Sequence, residues 1–96
     1  MTAREILEAK RDQLLDAARR NGAVNVRVFG SAVRGTDTSE SDFDFLVDCG
    51  PERPPFFPGG LQAEYEEILQ REVDIVTELA LHPKIRDKVL QEARPL

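Results

Sequence analysis

Residues 24–48 read VNVRVFGSAVRGTDTSESDFDFLVD, and the reading of the whole chain grows from them. Val24, Val26 and Val28 alternate with Asn25, Arg27 and Phe29, the period of two that marks a strand. Gly30-Ser31 ends it. Residues 31–34 suit one or two helical turns with Ser31 as N-cap, and Thr36 to Ser41 form a polar loop. Asp42 to Asp48 then read as a second strand. Its pleat sends Phe43, Phe45 and Val47 to one side and Asp42, Asp44 and Leu46 to the other.

Upstream, Thr2 and Glu5 have the capping-box spacing of a helix start, and Leu7, Leu14, Leu15 and Ala18 recur on one helical face. Arg19 and Arg20 suit the negative end of that helix, and Asn21-Gly22 stops it. Downstream, residues 50–60 hold four prolines and three glycines and form a rigid loop, with Phe56 and Phe57 either folded onto the core or shown to a partner. Leu61, Tyr65, Ile68 and Leu69 follow with helical spacing, Tyr65 on the inner face and Glu66 and Glu67 in solvent. Val73 to Thr77 is a third strand. A last helix starts at His82-Pro83 and turns Ile85, Val89, Leu90 and Ala93 inward. The order is αβαβαβα, an α/β (α+β) domain with a mixed sheet of three strands or slightly more.

The chain has 96 residues, 41% of them hydrophobic and 32% charged. That is one globular domain over residues 1–96, not a disordered or fibrous chain. One cysteine, Cys49, excludes a disulfide framework and a cysteine zinc site, and reads as a small packed residue. No apolar run approaches the ~20 residues that span a bilayer, so no membrane role is expected and the expected location is the cytoplasm. The net charge of −5 disfavours direct nucleic-acid binding. Residues 36–78 carry 12 acidic and 2 basic groups, which concentrates acid where a cation would sit.

Asp42 and Asp44 leave the same face of a strand about 6–7 Å apart. Two unpaired carboxylates so placed repel, and a divalent cation removes the repulsion. Oxygen-only ligands favour Mg²⁺ or Mn²⁺ over zinc. In GSAVRG, residues 30–35, Gly30 lets a phosphate approach the backbone, Ser31 adds a hydroxyl and Arg34 a charged fork. Asp74 is an acid inside the apolar run VDIV, costly in a half-buried strand unless something binds it. A short connection lets the first two strands run antiparallel, which sets Gly30-Ser31 beside Asp42. A helical crossover makes the second and third strands parallel, which sets Asp74 beside Asp42 and Asp44. One corner thus gathers a phosphate turn and three carboxylates.

Gly30-Ser31, ten intervening residues, Asp42-x-Asp44 and then Asp74 in an apolar strand resemble the DNA-polymerase-beta-type nucleotidyltransferase superfamily. The GSxxRG form and the C-terminal LHPKIRDKVLQEARPL resemble its minimal nucleotidyltransferase (MNT) branch; Val33 stands where members commonly carry Ala. The resemblance implies that Asp42 and Asp44 hold two Mg²⁺ ions against the triphosphate, and that Asp74 completes one ion's site and helps deprotonate the incoming hydroxyl. It implies that Gly30 and Ser31 grip the β- and γ-phosphates, with Arg34 adding charge there or supporting the loop. It further implies AMP transfer from ATP to a hydroxyl of a protein partner, a HEPN-family ribonuclease toxin for which the chain is the antitoxin, and a hetero-oligomer with it. Two other readings stay open: a non-catalytic antitoxin that neutralises a toxin by contact, and a small-molecule nucleotidyltransferase, which needs further domains for its acceptor.

Overall fold

The computed structural model describes residues 2–36, 38 and 41–96; Asp37, Ser39 and Glu40 of the expected polar loop lie outside the described residues. Helix α1 spans Ala3–Arg20 and opens on the capping box. Thr2 Oγ1 accepts from the Glu5 amide at 3.2 Å, and Glu5 Oε1 accepts from the Thr2 amide at 3.0 Å. Strand β1 is Ala23–Phe29, helix α2 Ser31–Arg34 and strand β2 Phe43–Cys49. Helix α3 is Gly59–Leu69, strand β3 Val73–Thr77, helix α4 Pro83–Glu92 and strand β4 Arg94–Pro95, with a 3₁₀ turn at Glu78–Ala80. The α/β order is as read, with a short fourth strand added.

The sheet runs β3-β2-β1-β4. β1 is antiparallel to β2 and to β4, and β2 is parallel to β3. Its two faces are unequal. Val28, Phe43, Phe45, Val47, Val73 and Ile75 pack under α1 and α3 in the main core, while Leu46, Leu81 and Val89 form a smaller cluster on the opposite side. Tyr65 of α3 is fully buried and meets Phe45 edge-on, with ring centroids 4.9 Å apart at 70°. Such a pair adds about 0.5–1.5 kcal/mol beyond its area. The Tyr65 hydroxyl donates to the Leu14 carbonyl at 2.8 Å, which satisfies the polar atom that this side chain carries into the core. Burial raises the pKa of the phenol.

Several details differ from the sequence reading. Gly30, not Ser31, caps α2, with φ 81° and ψ −153°. Backbone geometry available to glycine makes the turn there, so Ser31 already lies inside the helix. β1 bulges between Val24 and Arg27, with Asn25 at φ 52°. The extra residue breaks the expected alternation and leaves Val24 exposed. Cys49 ends β2 and is exposed rather than packed. Ile85 is 49% exposed, because Leu81 fills the inward place at that end of the smaller cluster. Phe57 is buried and Phe56 is 92% exposed, so the pair divides between core and surface. Glu66 is half-buried and accepts from the Val73 amide at 3.3 Å, whereas Glu67 is exposed as read. His82 caps α4 through Nδ1, which accepts from the Lys84 amide at 3.1 Å.

The Tyr65 bond gives a direct check on the packing. Tyr65→Phe keeps the ring and loses the hydroxyl, at a cost of about 1 kcal/mol. In a domain of this size the melting temperature should fall by roughly 4–8 °C. Thermal denaturation followed by circular dichroism tests this; an unchanged midpoint would show that the buried hydroxyl contributes nothing.

Candidate active site

Pairing in the sheet brings the sequence-predicted residues to one end of one face. Phe29 of β1 stands opposite Asp44 of β2, so Gly30 follows at the same corner. Asp44 stands directly opposite Asp74 of β3, their strands about 4.8 Å apart. Asp42 precedes β2 and is exposed, two residues before Asp44 and therefore toward the same face. Leu46 on that face is covered by the α4 cluster; the acids lie beyond that cover.

Gly30 and Asp44 are fitted to each other. A Cβ on Gly30 would collide with Asp44 Oδ2 and stand 3.2 Å from its Cγ. The turn thus needs glycine twice, for its positive φ and for the space that the carboxylate fills. The Gly30 amide donates to Glu92 Oε2 at 3.2 Å, and the other carboxylate oxygen of Glu92 accepts from Arg34. Arg34 is therefore ion-paired and half-exposed, tied to the end of α4.

Three supporting residues escaped the sequence reading. Glu92 joins α4 to the Gly30 turn. Arg71, just before β3, donates to the carbonyls of Ser41 at 3.0 Å and Thr38 at 3.1 Å, and its guanidinium lies 5.0 Å from the centre of the Phe43 ring. It pins the approach to Asp42 against the first residue of β2. Glu66, through the Val73 amide, holds the residue before Asp74. Arg71 and Glu66 belong to no motif. Glu92 lies in the C-terminal stretch that resembles the MNT branch, and it is an acid at the negative end of a helix, where the dipole disfavours it.

Acid outweighs base at this corner: the charge of Arg34 reaches Asp44, but Arg34 is ion-paired to Glu92. Among the described residues, the side chains of Asp42, Asp44 and Asp74 make no hydrogen bond or ion pair, although Asp44 and Asp74 are paired through the backbone of the sheet. Burial, and then the nearby charges of Asp74 and Asp42, push the Asp44 carboxyl up to about 6. The three are near enough to feel one another's charge. Yet among the described residues no three His, Cys, Asp or Glu side chains are gathered as a metal ion would gather them. The donor chemistry fits a hard divalent cation: carboxylate oxygens on one face, none of them ion-paired among the described residues.

The chain matches the sequence profile of the family described as "Nucleotidyltransferase domain" over residues 11–96. It belongs to that family. A curated relative, the "Putative protein adenylyltransferase MJ0435" of Methanocaldococcus jannaschii, is 34% identical over 88 residues, covering 92% of this chain and 94% of that protein. A solved structure described as a "putative minimal nucleotidyltransferase" superposes with a TM-score of 0.85 at 43% identity, over 100% of this chain and 97% of the other. One chain of a crystal structure of a toxin–antitoxin with AMP-PNP shares the fold, with a TM-score of 0.73 at 20% identity over 88% of this chain and 69% of that one. This nucleotidyltransferase domain has no helix among its described residues that is long and apolar enough to cross a membrane.

The raised Asp44 pKa sets a pH signature. The folded state holds its proton up to about pH 6, whereas the unfolded chain releases it near the ordinary aspartate value of about 4. Between those values the unfolded state binds fewer protons, so the Asp44 contribution to stability falls as pH rises and levels off above about 6. Asp44→Asn removes the effect. Its melting temperature, minus that of the wild type in metal-free buffer, should grow from about pH 4 to about 6 and then stay constant. A difference independent of pH would mean that Asp44 carries no such burden.

Proposed function

We propose that this nucleotidyltransferase moves AMP from ATP to a hydroxyl of a protein partner, a helical HEPN-family ribonuclease toxin that it restrains as a cytoplasmic antitoxin. Residues 1–96 act together as one domain. The observation that carries the reading is the single corner where Asp44 has Asp74 directly across the sheet and the Gly30 backbone packed against its carboxylate. Transfer of this kind needs a triphosphate cradle beside carboxylates that manage metal and proton.

Asp42 and Asp44 would hold two Mg²⁺ ions, with Mn²⁺ as a substitute, and Asp74 would complete the site of one of them. The bound metal would neutralise charge on the attacking and leaving oxygens. Gly30 lets the β- and γ-phosphates lie close to the backbone, and the Ser31 hydroxyl donates to them. The acceptor oxygen forms the new bond to the α-phosphorus as the bond to the bridging oxygen breaks and pyrophosphate leaves. The hydroxyl proton passes to the Asp74 carboxylate, which is exposed at the strand end and so open to an incoming partner. Arg34 is held by Glu92, and its role is to support the loop. The named relatives support adenylyl transfer to protein, and the fold shared with a toxin–antitoxin chain supports the class of partner.

Asp44→Asn should lower transfer by at least ~100-fold, the scale on which loss of one preorganised charge-stabilising group acts, while circular dichroism shows an intact fold. The measurement is the mass gained by a co-expressed helical toxin on addition of ATP and Mg²⁺. Wild-type transfer by the variant would overturn the carboxylate assignment. Toxin neutralisation with no mass gain by either protein would favour restraint by contact alone.

A further inference from the structure

Glu92 is the last residue of α4. A carboxylate at a helix C-terminus meets the negative end of the dipole, and α4 has no basic residue in its last turn. Arg94 sits just past the end and donates to the carbonyls of Gln91, Glu92 and Ala93 at 2.9–3.2 Å, which lessens the conflict. The Glu92 side chain is only 15% exposed. Something must hold a mostly buried anion in so unfavourable a place.

Two donors do. One is the Gly30 amide and the other is Arg34. Both belong to the turn that faces Asp44, and Glu92 joins them from α4, a helix remote in sequence. The backbone supports the same link. After Ala93 the chain enters β4, where Arg94 pairs with Val28 and Pro95 with Arg27, so the end of α4 is moored beside the end of β1.

We propose that Glu92 is a positioning residue for nucleotide binding. It holds the Gly30 peptide and Arg34, and so fixes the turn that must accept phosphate and the space into which Asp44 fits. Both of its carboxylate oxygens are engaged by this turn, so its role is not that of a ligand to substrate or metal. It acts through Gly30, whose geometry places both the phosphate cradle and the Asp44 carboxylate. The inference rests on the nucleotidyltransferase reading above.

The test uses the full chain with its helical toxin and three variants. In Glu92→Ala the Gly30 amide should lose its protection from hydrogen exchange, read by NMR without nucleotide. The KM for ATP should rise about tenfold, equivalent to ~1.4 kcal/mol, with a smaller change in kcat. Glu92→Gln keeps an acceptor for the Gly30 amide and should recover most of both effects. Should Glu92→Ala fail to fold, Arg34→Gln releases the same bridge from its exposed end and should raise KM in the same direction. Unchanged Gly30 exchange and KM in folded Glu92→Ala would overturn the proposal, leaving Glu92 a contributor to stability only. A lower KM in that variant would overturn it too, because Glu92 would then be competing with phosphate for the turn. Absence of transfer to the toxin by the wild type would instead remove the proposed AMP transfer to that partner, and this role in it.

Discussion

Along β2 the side chains of Phe43, Phe45 and Val47 enter the core beneath α1 and α3, and those of Asp44 and Leu46 leave from the opposite face. That alternation couples stability to chemistry. The strand cannot slip by one residue without bringing carboxylates into the core and aromatic rings into water. Tyr65 closes on Phe45 from α3 and ties α3 back to α1 through the Leu14 carbonyl. The apolar face therefore holds the acidic face in register with both neighbours.

The neighbours supply what β2 lacks. β1, antiparallel, ends where β2 begins its acidic residues and delivers Gly30 against Asp44. β3, parallel, starts at the same level and delivers Asp74 across from it. Asp44, half-buried, is the costly one: burial first, and then the charges of Asp74 and Asp42, raise its pKa, whereas Asp42 and Asp74 themselves are exposed. The large apolar face sustains that cost, in keeping with the tendency of functional sites to hold unfavourable charge.

Away from the site, charge is handled conventionally. Arg27, only 13% exposed, bridges Asp48 at 3.0 Å and Glu78 at 3.5 Å, and Glu78 also accepts from Arg86 at 3.0 Å. This network joins β1, β2, the 3₁₀ turn and α4 at the end of the sheet away from the three acids. Compensated charge at one end and an excess of acid at the other give the sheet face its polarity.

Much of the fold was legible because its determinants are local. The Thr2–Glu5 capping box, the period of two in Phe43-Asp44-Phe45 and the apolar spacing around Tyr65 each act within a few residues. Loop lengths then dictated antiparallel and parallel pairing, so the meeting of Gly30, Asp42, Asp44 and Asp74 followed from topology. Local pattern did not reach the bulge at Asn25, which shifts the register of β1 and leaves Val24 exposed, or the exposure of Ile85 and Cys49, which depends on where the covering layers stop. Nor did it reach Glu92, Arg71 and Glu66. Their partners, Gly30 and Arg34, Ser41, and Val73, are supplied by the three-dimensional course of the chain. The sequence by itself determined which residues carry charge and which face of each strand they occupy, because the pleat is a property of neighbouring residues. Only the tertiary structure decided which backbone amides those charges hold, because a hydrogen bond across 62 residues exists only once the sheet has closed and α4 has docked.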